Sequence, residues 1–135
     1  MTLPPEDRES AERLVLAANQ AFYDAFEARD FDAMSNLWEH SSRVFCTHPG
    51  WGTLHGWAAV SASWVALFTQ GAPLQFIVTG PNAAVQGDAA WVTCDENILG
   101  GGTGTGGTVA AVNLFTRDEE GSWRMVGHHG SPVAS

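Results

Sequence analysis

The histidines carry most of the chemistry this sequence offers. His48 stands directly before Pro49-Gly50, at the end of a short apolar run. An imidazole titrates near ~6.5, so a ring at a strand end can take a proton from a ligand near neutral pH. The same ring can instead hydrogen-bond a neighbouring backbone group and hold the turn, and both readings stay open. His128 and His129 are adjacent on a strand-like segment, so they point to opposite faces and cannot line one site together. A slip of one residue would exchange them. Asn113 interrupts an otherwise apolar strand. A buried amide without partners costs roughly 1–3 kcal/mol, so Asn113 is expected to be paired or to contact a ligand. As a neutral amide it could donate to a developing oxyanion. Asp95 and Glu96 also face opposite ways. They are read as a solvated strand end, the alternative being that one reaches the pocket rim and orients His48 or His128.

Other constellations carry less. Cys46 and His48 share a face, but no Cys or His spacing matches a zinc signature, so no metal is expected. Cys46 and Cys94 are read as buried thiols. Gly102, Gly104 and Gly107 form a formal G-x-G-x-x-G, which as a nucleotide site requires a helix immediately after it. A strand pattern follows instead, so 100–107 is read as a flexible hairpin loop over the pocket, and no cofactor is expected.

Several elements must position these groups. Residues 4–29 read as one amphipathic helix, with Ala11, Leu14, Val15, Ala18, Phe22, Ala25 and Phe26 at helical spacing. Pro4 and Pro5 suit its first turn. Asp30 is an N-cap candidate for a short second helix bearing Phe31, Met34, Leu37 and Trp38. Arg43 to Thr47 reads as a strand. Gly56 to Phe68 reads as a helix with Trp57, Val60, Ser61, Trp64, Leu67 and Phe68 on one stripe. Strand patterns follow at 74–79, 83–86, 89–99, 106–117 and 122–130, separated by Gly-Pro, Gly-Asp, glycine-rich and acidic turns. Most tryptophans fall at core spacing, whereas Trp51 lies in a loop and can wall an apolar ligand site.

This order predicts one α+β domain over 1–135, with three helices packed on one face of a curved, mainly antiparallel sheet. In the strand from Gly106, Val109, Ala111, Asn113 and Phe115 share one face, and Ala110, Val112 and Leu114 share the other. Helices can cover only one of these apolar faces, which predicts a homodimer through the outer face of the sheet. The chain has 135 residues, 44% apolar, with 15 acids against 6 basic residues and a net charge of −9. That balance lacks the basic footprint of a nucleic-acid or anionic-membrane binder. With no apolar run near ~20 residues and an acidic, proline-bearing start, a cytoplasmic protein is expected.

The segments ARDFDAMSNLW, CTHPGWGTLHG, GDAAWVTCDE, AAVNLFTR and WRMVGHHGSP together resemble the nuclear-transport-factor-2-like superfamily, in particular its SnoaL-like and ketosteroid-isomerase-like members. The resemblance spans nearly the whole chain. It implies a conical, barrel-like α+β fold enclosing a pocket between the long helix and the sheet, usually dimeric. It does not imply one activity, because this fold hosts isomerases, dehydratases, cyclases and non-catalytic binders. At the family's catalytic Asp-Pro the chain has His48-Pro49, and at the oxyanion-hole Asp it has Asn113. At the oxyanion-hole Tyr it has Phe22, with Tyr23 adjacent. The resemblance also puts His128 on the inner face with Val126 and His129 on the outer side. His48, Asn113 and His128 are the expected catalytic set. Phe22, Tyr23, Trp38, Trp51, Trp64 and Val126 are expected to line a pocket for a small apolar molecule. A histidine pair with an asparagine is closer to scytalone dehydratase than to the isomerases. The alternative is a non-catalytic ligand-binding or dimerisation module of the same fold.

Overall fold

A computed structural model describes residues 5–100 and 106–134. Helix α1 (Pro5–Ala28) is followed by α2 (Phe31–Leu37), β1 (Phe45–Thr47), β2 (Leu54–His55) and α3 (Trp57–Gln70). Four long strands complete the chain: β3 (Leu74–Gln86), β4 (Ala89–Gly100), β5 (Gly107–Arg117) and β6 (Trp123–Pro132). The six strands form one open sheet in the order β2-β1-β6-β5-β4-β3. All neighbours are antiparallel except β1 and β6, which run parallel. Three helices on one face of this curved sheet make the expected α+β cone.

Local chemistry fixes the helix ends. The Asp30 carboxylate accepts the Ala33 N–H at 3.0 Å and caps α2, satisfying a donor that a helix start leaves free. The Arg29 guanidinium donates twice to the Phe68 carbonyl, at 2.6 and 3.1 Å, tying the end of α1 to the end of α3. Gly56 starts α3 at φ 87°, a conformation that favours glycine. The expected Pro4 position and the hairpin loop at 101–105 lie outside the described residues. A strand, β5, follows that loop, as the rejection of a phosphate-binding helix requires.

Three local expectations are corrected. The two strand segments on either side of Gly80-Pro81 are one strand, β3, and a bulge between Thr79 and Asn82 absorbs the pair. A bulge bends a strand without ending it, and Pro is tolerated there because no ladder donor is needed. The two-residue strand β2 has no counterpart among the expected elements, since two residues carry no periodicity. On α3 the buried serine is Ser63, and Ser61 is only half-buried and bonds to the Ala58 carbonyl.

The core lies between α1, α3 and the inner sheet face, around Val15, Phe22, Met34, Val60, Trp64 and Met125. Ala90, Val92, Cys94 and Glu96 point inward from β4, and Val109, Ala111, Asn113 and Phe115 from β5. Among the described residues no helix is long and apolar enough to cross a membrane.

Candidate functional site

Two histidines meet on the inner side of the sheet. His48 follows β1 and is buried, and His128 on β6 is fully buried. Their ring centroids are 6.3 Å apart. The backbone brings them together because Cys46 on β1 pairs in parallel with His128 on β6.

The closing strand reaches this arrangement by a change of phase. Trp123 and Met125 point inward, and strict alternation would then turn His129 inward. A bulge intervenes, since Met125 pairs with Phe115 but Gly127 pairs with Leu114, leaving Val126 without a partner. Beyond the extra residue the inward positions are His128 and Gly130, and His129 is exposed. Val126 is therefore the half-buried bulge residue, not a regular inner-face neighbour of His128. The Phe45 ring crosses this point so closely that a Cβ at Gly127 would collide with it.

Hydrogen bonds define the protonation of each ring. The Ser63 hydroxyl donates to the Val60 carbonyl at 2.6 Å, so its oxygen is free to accept the Nε2–H of His48 at 2.9 Å. The Nδ1 of His48 then carries a lone pair. Asn113 donates through Nδ2 to Asn19 Oδ1 at 2.8 Å and to the Tyr23 hydroxyl oxygen at 3.2 Å. Its Oδ1 consequently faces His128 and accepts Nδ1–H at 2.6 Å. The remaining nitrogen, His128 Nε2, is a buried lone pair with no partner among the described residues.

Burial holds both rings neutral. It lowers His48 to about 4, and it lowers His128 to about 3 with help from the charges His48 and His129 would carry. Each ring therefore carries one lone pair and one N–H, and both N–H groups are already bonded, that of His48 to Ser63 and that of His128 to Asn113.

The polar chain continues away from the histidines. The Tyr23 hydroxyl donates to Glu96 Oε2 at 2.6 Å and lies 3.5 Å from Cys94 Sγ. Glu96 is 2% exposed. Burial raises its carboxyl to about 7, partly offset by the Tyr23 bond. The solvated strand end expected here holds only for the exposed Asp95. Glu96, Asn19, Ser63 and Cys94 join this inner network; from the sequence Glu96 is held only as the alternative that one of two neighbours reaches the pocket rim, and Asn19 and Ser63 are not announced by type. Position is the signal that finds them, since Glu96 continues the Ala90-Val92-Cys94 alternation and Asn19 lies four residues from both Val15 and Tyr23.

Aromatic rings surround the pair. Phe22 lies 5.0 Å from His128, and Trp64 stands edge-on to His48 at 4.8 Å. Trp51, 45% exposed, covers the other side of His48 at 4.8 Å. Trp38 is further out, buried against Trp57 and Trp64, with its Nε1–H on Met34 Sδ. Two cavities lie elsewhere. One of 360 Å³ is on the outer sheet face by Thr79, Asp95, Val112 and His129, and one of 150 Å³ is between Phe26, Phe68 and Leu74. Among the described residues no group of three or more His, Cys, Asp and Glu side chains is set to hold a metal ion.

Comparison with known proteins gives the family. A structure from Streptomyces avermitilis, provisionally named a dehydratase of the NTF2-like (nuclear-transport-factor-2-like) family, is 38% identical with a TM-score of 0.85. It covers 94% of this chain and 99% of its own. A structure from Thiobacillus denitrificans, provisionally named a calcium/calmodulin-dependent protein kinase type II association domain, is 36% identical with a TM-score of 0.73. That match covers 87% of this chain and 94% of the other. F-box protein SKIP8 of Arabidopsis thaliana is 29% identical over 119 residues, 88% of this chain. The chain spans about half that curated relative, 49% of its length. Residues 15–135 match the SnoaL-like domain, so this chain is a member of the SnoaL-like family within the nuclear-transport-factor-2-like superfamily.

Proposed function

We propose that this protein binds a small, mainly apolar molecule against its two inner histidines and carries out proton-transfer chemistry of the isomerase, dehydratase or cyclase type. The observation that carries the reading is His128: Asn113 accepts its Nδ1–H, and its Nε2 lone pair is buried with no partner among the described residues. An unpaired buried acceptor is costly, and such atoms concentrate where a ligand supplies the missing donor. His48 is the base in this reading, acting through Nδ1. His128 accepts a hydrogen bond from the ligand, and Asn113 orients His128. In this arrangement both Asn113 N–H bonds go to protein, so its role is positioning and not direct oxyanion binding. Trp51 lies on the solvent side of His48, and a ligand reaches the ring past it. The provisional dehydratase name of the Streptomyces relative supports this class of chemistry.

The test works on a panel of compounds and does not require the natural substrate. Candidate carbonyl compounds with acidic α-protons are incubated in D2O, and deuterium uptake is followed by mass spectrometry. Wild type incorporates deuterium, and His48→Gln loses roughly 10²–10⁴-fold in rate with folding intact. Equal uptake in both proteins would remove His48 from the mechanism.

A second reading is a non-catalytic module that pairs with its own copy. The outer face of the sheet leaves Ile77 and Trp91 exposed, and Val112 and Leu114 only half covered. The relative named as an association domain supports this reading. It predicts a sedimentation coefficient of a dimer that shifts to a monomer in Val112→Arg, with any bound ligand recovered unchanged.

A further inference from the structure

We propose that the protonation state of Glu96 sets, through Tyr23 and Asn113, which ring nitrogen of His128 carries the proton. Glu96 would then be a positioning residue for the histidine, acting from β4 across β5 to β6. The inference rests on the hydrogen-bond chain, and the proton-transfer reading above gives it a use.

Every link in the chain can reverse. With Glu96 ionised, the carboxylate only accepts, so Tyr23 must donate to Oε2, at 2.6 Å. The tyrosine oxygen then accepts from Asn113 Nδ2, which turns Asn113 Oδ1 toward His128 and keeps the ring proton on Nδ1. Nε2 is left as the acceptor. With Glu96 protonated on Oε2, the acid O–H donates to the tyrosine oxygen. The tyrosine O–H is released and donates toward Asn113. The Asn113 amide turns over, placing Oδ1 on Tyr23 and Nδ2 on His128 Nδ1. His128 must then carry its proton on Nε2, which becomes a donor.

The side branch allows the same reversal. Asn19 accepts from Asn113 at 2.8 Å and also bonds the Cys94 thiol. When Asn113 turns, Asn19 turns with it, donating to Asn113 and accepting the Cys94 S–H. The proton count closes: Glu96 gains one proton, and His128 loses one at Nδ1 and gains one at Nε2, remaining neutral throughout. No oxidant or further reactant is involved.

Glu96 is suited to make this choice near neutral pH. Facing it are Tyr23 from α1, Cys94 on its own strand and, electrostatically, Cys46 from β1. Burial holds all three protonated by pushing their pKa values up. Its pairing partners on β3 and β5 are Val78 and Val109. Around His128 the titratable neighbours are His48 and His129. Burial raises Glu96 to about 7, so its proton comes on while both inner histidines stay neutral.

The test is ring-nitrogen NMR on the 13C,15N-labelled protein, titrated from about pH 9 to about pH 5. His128 is assigned by loss of its signals in His128→Gln, and Glu96 is followed by its side-chain carboxyl carbon. The expected result is an exchange of the protonated and unprotonated nitrogens of His128 with the same midpoint as Glu96. In Tyr23→Phe the carboxyl still titrates but His128 no longer follows it. The proposal is overturned if His128 keeps one tautomer while Glu96 titrates. It is equally overturned if Glu96 stays ionised across the range, or if His128 follows unchanged in Tyr23→Phe. The wild-type titration decides the matter even if a variant fails to fold. Turnover is not read, so this result and that of the deuterium test stand independently.

Discussion

The two faces of the same sheet treat identical chemistry in opposite ways. His128 is buried, neutral and held by Asn113, whereas His129, the next residue, is exposed beside the outer cavity. Glu96 is buried against Tyr23, whereas Asp95 lies at the surface. Residue type does not separate these pairs; the phase of the strand does. The inner face makes polar groups informative because leaving one unpaired is costly in a medium that solvates charge poorly. The outer face leaves them to water.

The largest break in this comparison should come from the tryptophans. Trp64 is fully buried between Phe22, His48 and Phe68, and Trp91 is 42% exposed on the outer face. Trp64→Ala is expected to cost about 3–5 kcal/mol in chemical denaturation. Trp91→Ala should cost under about 1 kcal/mol when measured at dilution. If it also weakens self-association at higher concentration, the outer face is an interface. Equal losses for the two variants would mean that the faces do not differ as described.

Next comes the amide. Asn113→Ala leaves the His128 Nδ1–H without its acceptor and takes one hydrogen bond each from Asn19 and Tyr23, and a loss of roughly 3 kcal/mol is expected. Val112→Ala, one residue away on the outer face, should cost under about 1.5 kcal/mol. Urea unfolding of the two variants measures the contrast directly, and similar costs would mean that the inner network contributes little.

Much of this division is legible in the sequence, and the places where it is not have physical reasons. The alternation Val109-Ala111-Asn113-Phe115 assigns both faces of β5 correctly, because a strand with one buried face imposes period two on its residues. The order of helices and strands is sufficient for the α+β class. Asp95 and Glu96 are read as facing opposite ways at a solvated strand end because charge suggests solvent, with one reaching the pocket rim as the alternative; the phase set by Ala90, Val92 and Cys94 already decides that Glu96 is the one turned inward. The stripe of α3 reads through Ser61 where Ser63 belongs, since serine carries too little hydrophobicity to mark a face. His128 does lie inward, but not in regular alternation with Val126; a bulge at Val126 is what turns it there. A bulge is an insertion of one residue and leaves no compositional mark. The contact between His48 and His128 joins distant segments through a parallel strand pair, and no local pattern encodes it.

The shape of the pH dependence discriminates most sharply between the two faces. Glu96 is raised by burial from 4.5 to about 7, so between these values the folded state holds a proton that the unfolded state has released. Its contribution to stability is complete below about pH 4.5 and is lost as pH rises toward 7. The histidines have the opposite sign. His48 and His128 are lowered from 6.5 to about 4 and about 3, so the unfolded state takes up protons first, and acidification below 6.5 destabilises the fold. Two histidines outweigh one carboxyl between pH 4.5 and 6.5, and the opposing slopes cancel near about pH 7. Stability should therefore rise from acid to about pH 7 and stay nearly flat from there to about pH 8. Glu96→Gln removes the carboxyl's opposing slope and should make the rise between about pH 4.5 and about pH 6.5 roughly twice as steep. Asp95→Asn, on the solvated face, should leave the curve within about 0.5 kcal/mol of wild type. Thermal unfolding across this range would reverse the assignment of the two neighbours if Asp95→Asn, and not Glu96→Gln, steepened the acid limb.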